Sequence, residues 1–515
     1  FGSSSWFDSS REYLAMRIVF ACSAHVGHIN PTLPVVNVLA HQGHEVHYMS
    51  FESMRAKIET AGATFQNVVE IQPELYASRK ASGCMGAAED VMEEFGLEAG
   101  SFLSVMKTRN ICLEQELPGT LRFLRTLKPD VLVYDPLIFC RFASYAAEIL
   151  GIPAVGLLTL AGPGAMRTHA PSTVHPLAES SRLVQEFAPH SVATARISAD
   201  YGLAISPGLF HPDGYLDACR DNTIIVTTSA DLQDPMTPEL AERHAKDGAR
   251  FEYVGPLLSD GSPDQARVED SLLTQVRTAR SSGRPVVMIS MGTLVTSDHS
   301  VNGWNARPGG SSITGKELCR AVWSGTFDAL GTESRASGAL IVAALGPQAD
   351  PLGDIQAPPN AICVPSFQQV ELLRMGVKVF VTHGGQNSFT EAMAQGVPVI
   401  VCPGFGDQIV NAGKAVKLGV GLKVDRPCGS AGGEEASAQY RREVHSAVNK
   451  VMSDESFMKA ASAQAAKLSA CGGVSRAVEI VLAEALHGSE RALHEQKIRV
   501  GEEISTESFG PGDRR

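Results

Sequence analysis

Two histidines stand at an unusual junction near the start of the chain, in the stretch FACSAHVGHINPTLPVV. A strand-like apolar run ends there, and a short loop that carries His25, Gly27 and His28 follows it. Asn30 is typical of a helix N-cap and Pro31 of a first helical position, so a helix is predicted to begin there. Because a helix start is partially positive, it disfavours imidazolium, and His28 is expected to stay neutral, as a general base must.

A matching carboxylate, Asp135, ends the later run DVLVYD and is followed by Pro136, which stops strand pairing. Since the ends of parallel strands share one edge of a sheet, Asp135 and His28 are expected to approach each other. A carboxylate on one ring nitrogen fixes the tautomer and stabilises the imidazolium that forms when the other nitrogen takes a proton. The alternatives are that His28 is a structural loop histidine, the interpretation kept for His25, and that Asp135 merely caps a loop.

The second half of the chain contains a comparable junction, in the stretch THGGQNSFTEAMAQGVP. A buried strand is predicted to end at His383, and Gly384 and Gly385 let the backbone turn tightly and approach a ligand closely. Ser388 and Glu391 have the spacing of a capping box, which predicts a helix start. The unpaired N–H groups of a first helical turn attract anions, so a diphosphate held by that turn and His383 is the predicted ligand. The alternative is a well-capped helix without a ligand.

A carboxylate and an amide, Asp407 and Gln408, follow the next predicted strand in the stretch VIVCPGFGDQIVNA. Such a pair can accept hydrogen bonds from vicinal hydroxyls and donate to them, as recognition of a sugar requires. For Asp407 taken alone, the alternative is a helix-capping aspartate.

The elements that position these residues follow from the hydrophobic pattern. Continuous apolar runs such as RIVFACS, DVLVYD, PVVMIS and VKVFVTH alternate with helical patterns through both halves of the chain. Continuous rather than alternating apolar strands are typical of parallel sheets that helices cover on both faces. The sequence therefore predicts an α/β protein with two doubly wound, Rossmann-like domains that face each other across a cleft.

The predicted boundaries follow the composition. Gly, Pro, Ser and Asp are dense around residues 254–265, as in a linker, and the loose stretch 296–312 is interpreted as an inserted loop. The chain is divided into a disordered leader, an N-terminal domain, a linker, a C-terminal domain, a helix that packs back on the N-terminal domain, and a disordered tail. These cover residues 1–15, 16–256, 257–283, 284–465, 466–488 and 489–515 respectively.

Composition narrows the class of protein. The 515 residues suffice for two or three domains, and 44% hydrophobic with 19% charged residues is ordinary for a globular protein. A net charge of -12 argues against a nucleic-acid partner. We find no apolar run long enough to span a membrane, and the leader lacks the parts of a signal peptide. The 10 cysteines lack metal-site spacing and predict reduced thiols in a cytoplasmic protein.

The block HGGQNSFTEAMAQGVPVIVCPGFGDQIVNA closely resembles the donor-binding signature of family 1 glycosyltransferases, the UDP-dependent enzymes of the two-domain GT-B type. The stretch GHINPTLPVVNVLAHQGHEV is similar to the first strand, loop and helix of the same family. The resemblance implies that His28 is the catalytic base and that Asp135 activates it. Together with the residue types, it assigns these residues to the donor site: Thr293, Gln369, His383, Gly385, Asn387, Ser388, Glu391, Asp407 and Gln408.

Within the donor site, the resemblance implies three groups of contacts. His383, Asn387 and Ser388 would hold the diphosphate, and Thr293 would touch it as well. Gln369 and Glu391 would contact the ribose, while Asp407 and Gln408 would read the sugar. Two positions depart from the plant pattern and leave the base preference open, because Ser366 and Gln386 stand where plant members carry tryptophan.

The resemblance implies an inverting hexosyltransferase, which moves a hexose, with glucose expected, from a UDP-sugar to a hydroxyl of a lipophilic small molecule. The C-terminal domain would bind the donor and the N-terminal domain the acceptor. No cofactor or metal is expected, since the helix start and His383 would stabilise the leaving diphosphate and the chain has no Asp-x-Asp pair. The alternatives are a UDP-sugar 2-epimerase of the same fold and a non-catalytic nucleotide-sugar-binding protein.

Overall fold

A computed structural model describes residues 15–80, 85–99, 101–169, 176–209, 211–259, 271–429 and 433–488. Two parallel sheets organise these residues, one in each half of the chain. The predicted leader, apart from its last residue, and the predicted tail lie outside the described residues, as do residues 260–270 of the predicted linker.

Seven strands form the N-terminal sheet: β1 (Arg17–Ala21), β2 (Glu45–Ser50), β3 (Thr64–Asn67), β4 (Val131–Tyr134), β5 (Ala154–Leu158), β6 (Thr223–Val226) and β7 (Arg250–Tyr253). Their order is β3-β2-β1-β4-β5-β6-β7, and all neighbours are parallel. The strand order reverses between β1 and β4. Open α/β sheets bind ligands in the crevice at such a reversal.

Six strands form the C-terminal sheet: β8 (Val286–Ser290), β9 (Leu340–Ala344), β10 (Ala361–Val364), β11 (Val379–Thr382), β12 (Val399–Val401) and β13 (Gly421–Lys423). Their order is β10-β9-β8-β11-β12-β13, again with parallel neighbours. The reversal between β8 and β11 sets the corresponding crevice in this half.

Helices surround both sheets. Those of the N-terminal half are α1 (Val26–His41), α2 (Arg55–Thr60), α3 (Val68–Ile71), α4 (Pro73–Tyr76), α5 (Ala88–Glu94), α6 (Phe102–Leu127), α7 (Arg141–Leu150), α8 (Ala165–His169), α9 (Leu177–Gln185), α10 (Ala188–Tyr201) and α11 (Pro238–Lys246). Those of the C-terminal half are α12 (Ser271–Ser281), α13 (Gly315–Leu330), α14 (Gln369–Arg374), α15 (Gln386–Ala394), α16 (Asp407–Lys417), α17 (Gly433–Ser453), α18 (Ser456–Ser469) and α19 (473–488). Short 3-10 turns span Glu52–Met54, Asp217–Cys219, Ala230–Leu232 and Pro308–Gly310.

The predicted fold class is confirmed: each half is a doubly wound domain with a parallel sheet. Every residue of β4, β5, β8 and β11 is buried, as the continuous apolar runs indicate. Each large aliphatic side chain buried in such a strand contributes about 1.5–3 kcal/mol to the free energy of unfolding. These buried strands fix the positions at which the polar strand-end residues leave the sheets.

The predicted linker, 257–283, needs a correction, because α12 lies within it. Leu272, Val276 and Ala279 follow helical spacing and pack into the core of the C-terminal domain. A linker composition in the preceding residues concealed this apolar face.

The predicted C-terminal helix, 466–488, consists of parts of two helices. α18 continues to Ser469, and its Leu468 packs in the C-terminal core. Only α19 returns to the N-terminal domain, where Val474 and Val481 join the core under β1. The described part of the chain therefore starts and ends in the N-terminal domain.

The stretch interpreted as an insertion, 296–312, is packed against the C-terminal domain. Trp304 is buried, and its backbone N–H donates to the backbone carbonyl of Ser297 at 2.7 Å. Its ring lies 6.2 Å from that of Trp323. Across the part of the chain that the structure describes, no helix is both long and apolar enough to cross a bilayer.

Candidate active site

Two helix starts meet between the sheets. α1 follows β1 and α15 follows β11, so both begin at the carboxyl ends of central strands. The side chain of Asn387, in the first turn of α15, donates through Nδ2 to the carbonyl oxygen of Gly27 at 2.7 Å. This bond joins the N-terminal half directly to the C-terminal half at the predicted site.

The predicted start of α1 at Asn30 was wrong, because the helix begins at Val26 and contains Pro31. A proline has no N–H, so the carbonyl four residues before it, that of Gly27, cannot receive the usual helical hydrogen bond. This is the carbonyl that accepts from Asn387. The base candidate of the N-terminal half therefore lies within the first turn of α1 rather than in a loop before it.

His28 and Asp135 form the central hydrogen bond of the site, with Nδ1 of the ring 2.7 Å from Oδ2 of the carboxylate. The Asp135 side chain is 2% exposed, and its other oxygen accepts the N–H of Leu137 at 2.9 Å. Thr159, directly after β5, places Oγ1 3.1 Å from the same ring nitrogen. An ionised carboxylate only accepts, so Nδ1 carries the shared proton and Nε2 is left as the basic nitrogen.

The charge state expected for His28 needs a correction. Burial lowers its pKa, but the charge and the hydrogen bond of Asp135, together with the charge of Asp407, outweigh burial and raise the pKa above 6.5. The prediction considered only the helix start and omitted a carboxylate within hydrogen-bond distance, which has the larger effect. His28 is thus a stronger base than an ordinary histidine, and it is neutral only above this raised pKa.

His25 lies beside the base without touching Asp135. Its Nδ1 is 2.6 Å from Oγ of Ser23, and its ring lies 5.8 Å from that of His28 and 5.1 Å from that of Phe139. Burial and, secondarily, His28 lower the pKa of His25 to about 4, so the ring is neutral at physiological pH. The neutral ring of His25 therefore lies close to both His28 and Phe139.

His383 lies between two glycines on the donor side. A Cβ at Gly292, where φ is 75°, would lie 2.4 Å from the imidazole ring, and a Cβ at Gly385 would lie 2.6 Å from its Nε2. Only glycine permits such close approach. Burial lowers the pKa of His383 although Asp407 opposes this, so the ring is neutral and keeps one N–H donor.

The predicted capping box was wrong, because α15 begins at Gln386, with Gly385 as its N-cap. Instead, Gln369 joins the two predicted partners: its Nε2 donates to Oγ of Ser388 at 3.0 Å and to Oε2 of Glu391 at 2.6 Å. Burial raises the pKa of Glu391, and the bond from Gln369 opposes the shift. The three side chains form one polar cluster beside the first turn of α15.

The predicted sugar-reading pair makes local contacts. Oδ2 of Asp407 accepts the N–H of Gln386 at 2.7 Å and so caps α15 from the next helix. Oε1 of Gln408, which is 3% exposed, accepts from the N–H groups of Gly404 at 2.7 Å and Phe405 at 3.3 Å. These local bonds occupy one oxygen of each side chain and do not involve Oδ1 of Asp407 or the amide nitrogen of Gln408.

Three further positions were singled out in the sequence. Thr293 and Ser366 are exposed in the loops after β8 and β10. Gln386 is buried and turned toward α16, since its Nε2 donates to Thr390 at 2.9 Å and its Oε1 accepts from Asn411 at 3.3 Å. Gln386, which stands where plant members carry tryptophan, is therefore held by hydrogen bonds to Thr390 and Asn411.

Thr159 was missed in the sequence, although a signal for it existed. It ends the run PAVGLLT, and β5 pairs with β4, the strand that leads to Asp135. The rule that strand ends share one edge applied to Thr159 as well, but a hydroxyl does not stand out as a carboxylate does.

Known proteins resemble this chain in sequence. Residues 355–469 match the family described as UDP-glucoronosyl and UDP-glucosyl transferase. A protein of Bacillus subtilis named uncharacterized UDP-glucosyltransferase YdhE is 25% identical over 437 residues, which are 84% of this chain and 89% of the relative. By these matches the chain is a glycosyltransferase, similar to UDP-glycosyltransferases along most of its length. The NDP-glycosyltransferase YjiC of the same organism is 24% identical to this glycosyltransferase over 455 residues, 88% of this chain and 93% of the relative.

The fold of this glycosyltransferase is also that of solved structures. The glycotransferase of kitacinnamycin has a TM-score of 0.61 and 21% identity, and the match covers 91% of this chain and 99% of the other. The two-domain arrangement is therefore GT-B. The similarity to UDP-glycosyltransferases supports an enzyme that moves a sugar from a nucleotide donor to a small-molecule acceptor.

Proposed function

We propose that this glycosyltransferase moves a hexose, glucose in the first instance, from a UDP-sugar to a hydroxyl group of a lipophilic small molecule, with inversion at the anomeric carbon. The observation that carries the proposal is the 2.7 Å contact between His28 and Asp135. His28 directly follows Gly27, whose carbonyl accepts a hydrogen bond from Asn387 in the first turn of α15. A base and an anion-binding helix start are thus held on opposite sides of one cleft.

His28 acts as the general base in this proposal. Its Nε2 takes the proton of the acceptor hydroxyl while that oxygen forms a bond to the anomeric carbon. The bond from this carbon to the diphosphate oxygen breaks, and UDP leaves with the electron pair. Asp135 holds the tautomer and stabilises the imidazolium, which later gives its proton to solvent; a positioned base of this kind contributes about 10²–10⁴-fold.

The departing diphosphate is bound by groups around α15. The N–H groups of its first turn carry a partial positive charge, and neutral His383 supplies one further donor. Ser388 contributes a hydroxyl, while Gln369 and Glu391 are assigned to the ribose. These donors stabilise the charge that develops on the leaving group.

We propose that transfer needs neither a metal nor a cofactor. The helix start, His383 and Ser388 already offer positive charge and donors to the diphosphate. In the test, chelation of divalent ions leaves the rate unchanged, and a loss that added magnesium restores would contradict the proposal.

We further propose a cytoplasmic location. The cysteines that the structure describes are all free thiols, and most of them are buried. Free thiols are typical of a reducing compartment.

The experiment that tests the proposed function is UDP release from UDP-glucose, with and without a panel of hydrophobic phenols and alcohols. Release that requires both an acceptor and His28, with His28→Ala as the blank, supports transfer with His28 as base. Unchanged UDP affinity in His28→Ala is expected, since the ring belongs to the acceptor side. Lost UDP binding in that variant would contradict the role.

The same assay separates the two rival functions. A 2-epimerase would change UDP-glucose without any acceptor and would release no acceptor glycoside. A non-catalytic sensor would bind UDP-glucose without turnover under every condition. If other nucleoside diphosphate sugars react faster than UDP-glucose, the transferase function stands and the donor is corrected.

A further inference from the structure

A cavity lies in the N-terminal domain behind the end of β1. It is partly enclosed and partly open to solvent. Ser23 and Ala24 line it next to His25, and so does Phe139, whose ring lies 5.1 Å from that of His25. His25 follows Ala24 of the lining in the chain, and its ring lies 5.8 Å from that of His28, so the cavity and the proposed base share His25 as a neighbour.

One wall of this cavity contains a buried ion pair on α6. Nη2 of Arg109 donates to Oε1 of Glu116 at 3.0 Å, and Nε donates to the carbonyl of Ile138 at 3.1 Å. The two charged side chains are 5% and 6% exposed. The guanidinium also lies over the ring of Phe139, at 5.4 Å from its centre. Both charged side chains line this cavity.

Two buried polar atoms in the lining have no hydrogen-bond partner among the described residues. They are Oε2 of Glu116 and Oγ of Ser50, and both side chains line the cavity. Buried polar groups are almost always hydrogen-bonded, because an unpaired group loses its bonds to water without replacement. A ligand group that reaches this wall would restore both bonds.

We infer that Glu116 and Ser50 form a specificity subsite of the acceptor pocket, which binds a second hydroxyl of the acceptor, remote from the one that is glycosylated. The inference rests on the proposed function, which places the acceptor beside His28. It narrows the acceptor class to apolar ring compounds with two separated hydroxyl groups. A singly hydroxylated ring compound would leave the subsite unpaired.

A hydroxyl group matches both atoms. It donates to Oε2 of Glu116 and accepts from the hydroxyl of Ser50. Burial raises the pKa of Glu116, whereas the charge and hydrogen bond of Arg109 oppose the rise. The proposed match uses the ionised carboxylate, the form that the ion pair with Arg109 favours. An ether or a halogen at the same place would satisfy only part of this pattern.

The test compares matched ligands in the absence of donor. The probes are para-hydroxystilbene with para,para′-dihydroxystilbene, and para-phenylphenol with para,para′-biphenol, so that two spacings are covered. Dissociation constants are measured by titration calorimetry on the full chain. A hydrogen bond to a charged group is worth about tenfold or more in affinity, so the better-fitting diol is expected to bind the wild type at least tenfold tighter than its partner.

The variants identify the subsite. Glu116→Gln keeps an oxygen for Arg109 but loses the carboxylate, and the diol preference is expected to disappear. Ser50→Ala leaves the ion pair intact and removes an unpaired hydroxyl, so it should fold well and reduce the preference partially. The control is Glu114→Gln on the same helix, where the carboxylate pairs with Arg196 at 3.4 Å near the surface. This control should keep the full preference.

The outcomes separate the subsite from the proposed function. The inference would be overturned by equal affinity for both members of each pair in the wild type, or by no binding of either diol. It would also be overturned by an undiminished preference in Glu116→Gln and Ser50→Ala. His28→Ala should keep the preference while losing transfer. If the wild type binds the diols selectively but transfers no sugar to them or to any other acceptor, the subsite stands and the proposed transferase role fails.

Discussion

Asn387 and Gly27, from opposite halves of the chain, share a hydrogen bond of 2.7 Å. The carbonyl of Gly27 is available because Pro31, four residues later in α1, has no N–H to offer it. The bond places the first turn of the donor-side helix one residue from His28. The proline that misled the prediction of the helix start thus contributes to the junction between the domains.

Removing this bond should slow transfer. Asn387→Ala is expected to lower kcat/KM for UDP-glucose by about fivefold to tenfold, since one neutral hydrogen bond is worth about 1 kcal/mol. Steady-state UDP release with the best acceptor measures the effect. Asn449→Ala is the control, because the side chain of this exposed asparagine hydrogen-bonds His445 within α17, away from the junction between the halves. Equal rates in the two variants would contradict a role for the bond.

The rate should depend on pH through His28. Its pKa is raised above 6.5, and only the neutral ring can take a proton, so kcat/KM should fall as pH drops through the raised pKa. The protonated ring also stabilises the fold: this contribution is complete below 6.5 and is lost as pH rises through the folded-state pKa. The measurement is kcat/KM from acid to mildly alkaline pH. A rate that stays constant through this range would contradict the prediction.

Asp135→Asn should both slow the reaction and move its pH profile. Without the negative charge, the pKa of His28 falls, so the acidic limb of kcat/KM should shift to lower pH. The maximum rate should drop by about 10²-fold, since the imidazolium loses its counter-charge. Asp200→Asn, at an exposed position in α10, should change neither quantity. An unshifted limb would mean that another group sets the profile.

Asp407→Ala should separate sugar binding from nucleotide binding. The variant loses the carboxylate proposed to face the sugar, together with its bond to the N–H of Gln386, but keeps His383, Ser388 and the other N–H groups of α15. Affinity for UDP-glucose should therefore fall by about tenfold, while affinity for UDP changes little. Titration with both ligands measures the difference, and Asp425→Ala, which breaks an exposed pair with Lys423, is the control. Equal losses for both ligands would contradict contact with the sugar.

The sequence predicted the elements that depend on apolar runs. The strand that ends before Asp135 and the strand before His383 are continuous apolar segments, so their presence and burial followed from periodicity and the parallel-sheet rule. The proximity of His28 and Asp135 followed in turn, because both residues leave the same edge of one sheet. These predictions required no knowledge of individual side-chain contacts.

The misplaced features depend on contacts that are distant in the sequence. Ser388 and Glu391 fit a capping box locally, but α15 begins earlier because Asp407 of the next helix caps Gln386. The unpaired oxygen of Glu116 was equally hidden, since a helical pattern predicts which face is buried and not which atoms find a partner. A sequence pattern records local preference, whereas these features are decided by neighbouring elements.

The two glycines around His383 give the sharpest test of the donor side. Gly292→Ala would place a Cβ 2.4 Å from the ring and would also strain a residue with φ of 75°. Gly283→Ala is a matched control, because its φ is 77° and nothing lies within 4 Å of the added Cβ. Both variants should lose about 1–2 kcal/mol of unfolding free energy from the backbone. Only Gly292→Ala should also weaken UDP binding, by about tenfold, because the displaced imidazole loses its bond to the diphosphate; equal UDP affinity in both variants would show that His383 does not hold the nucleotide.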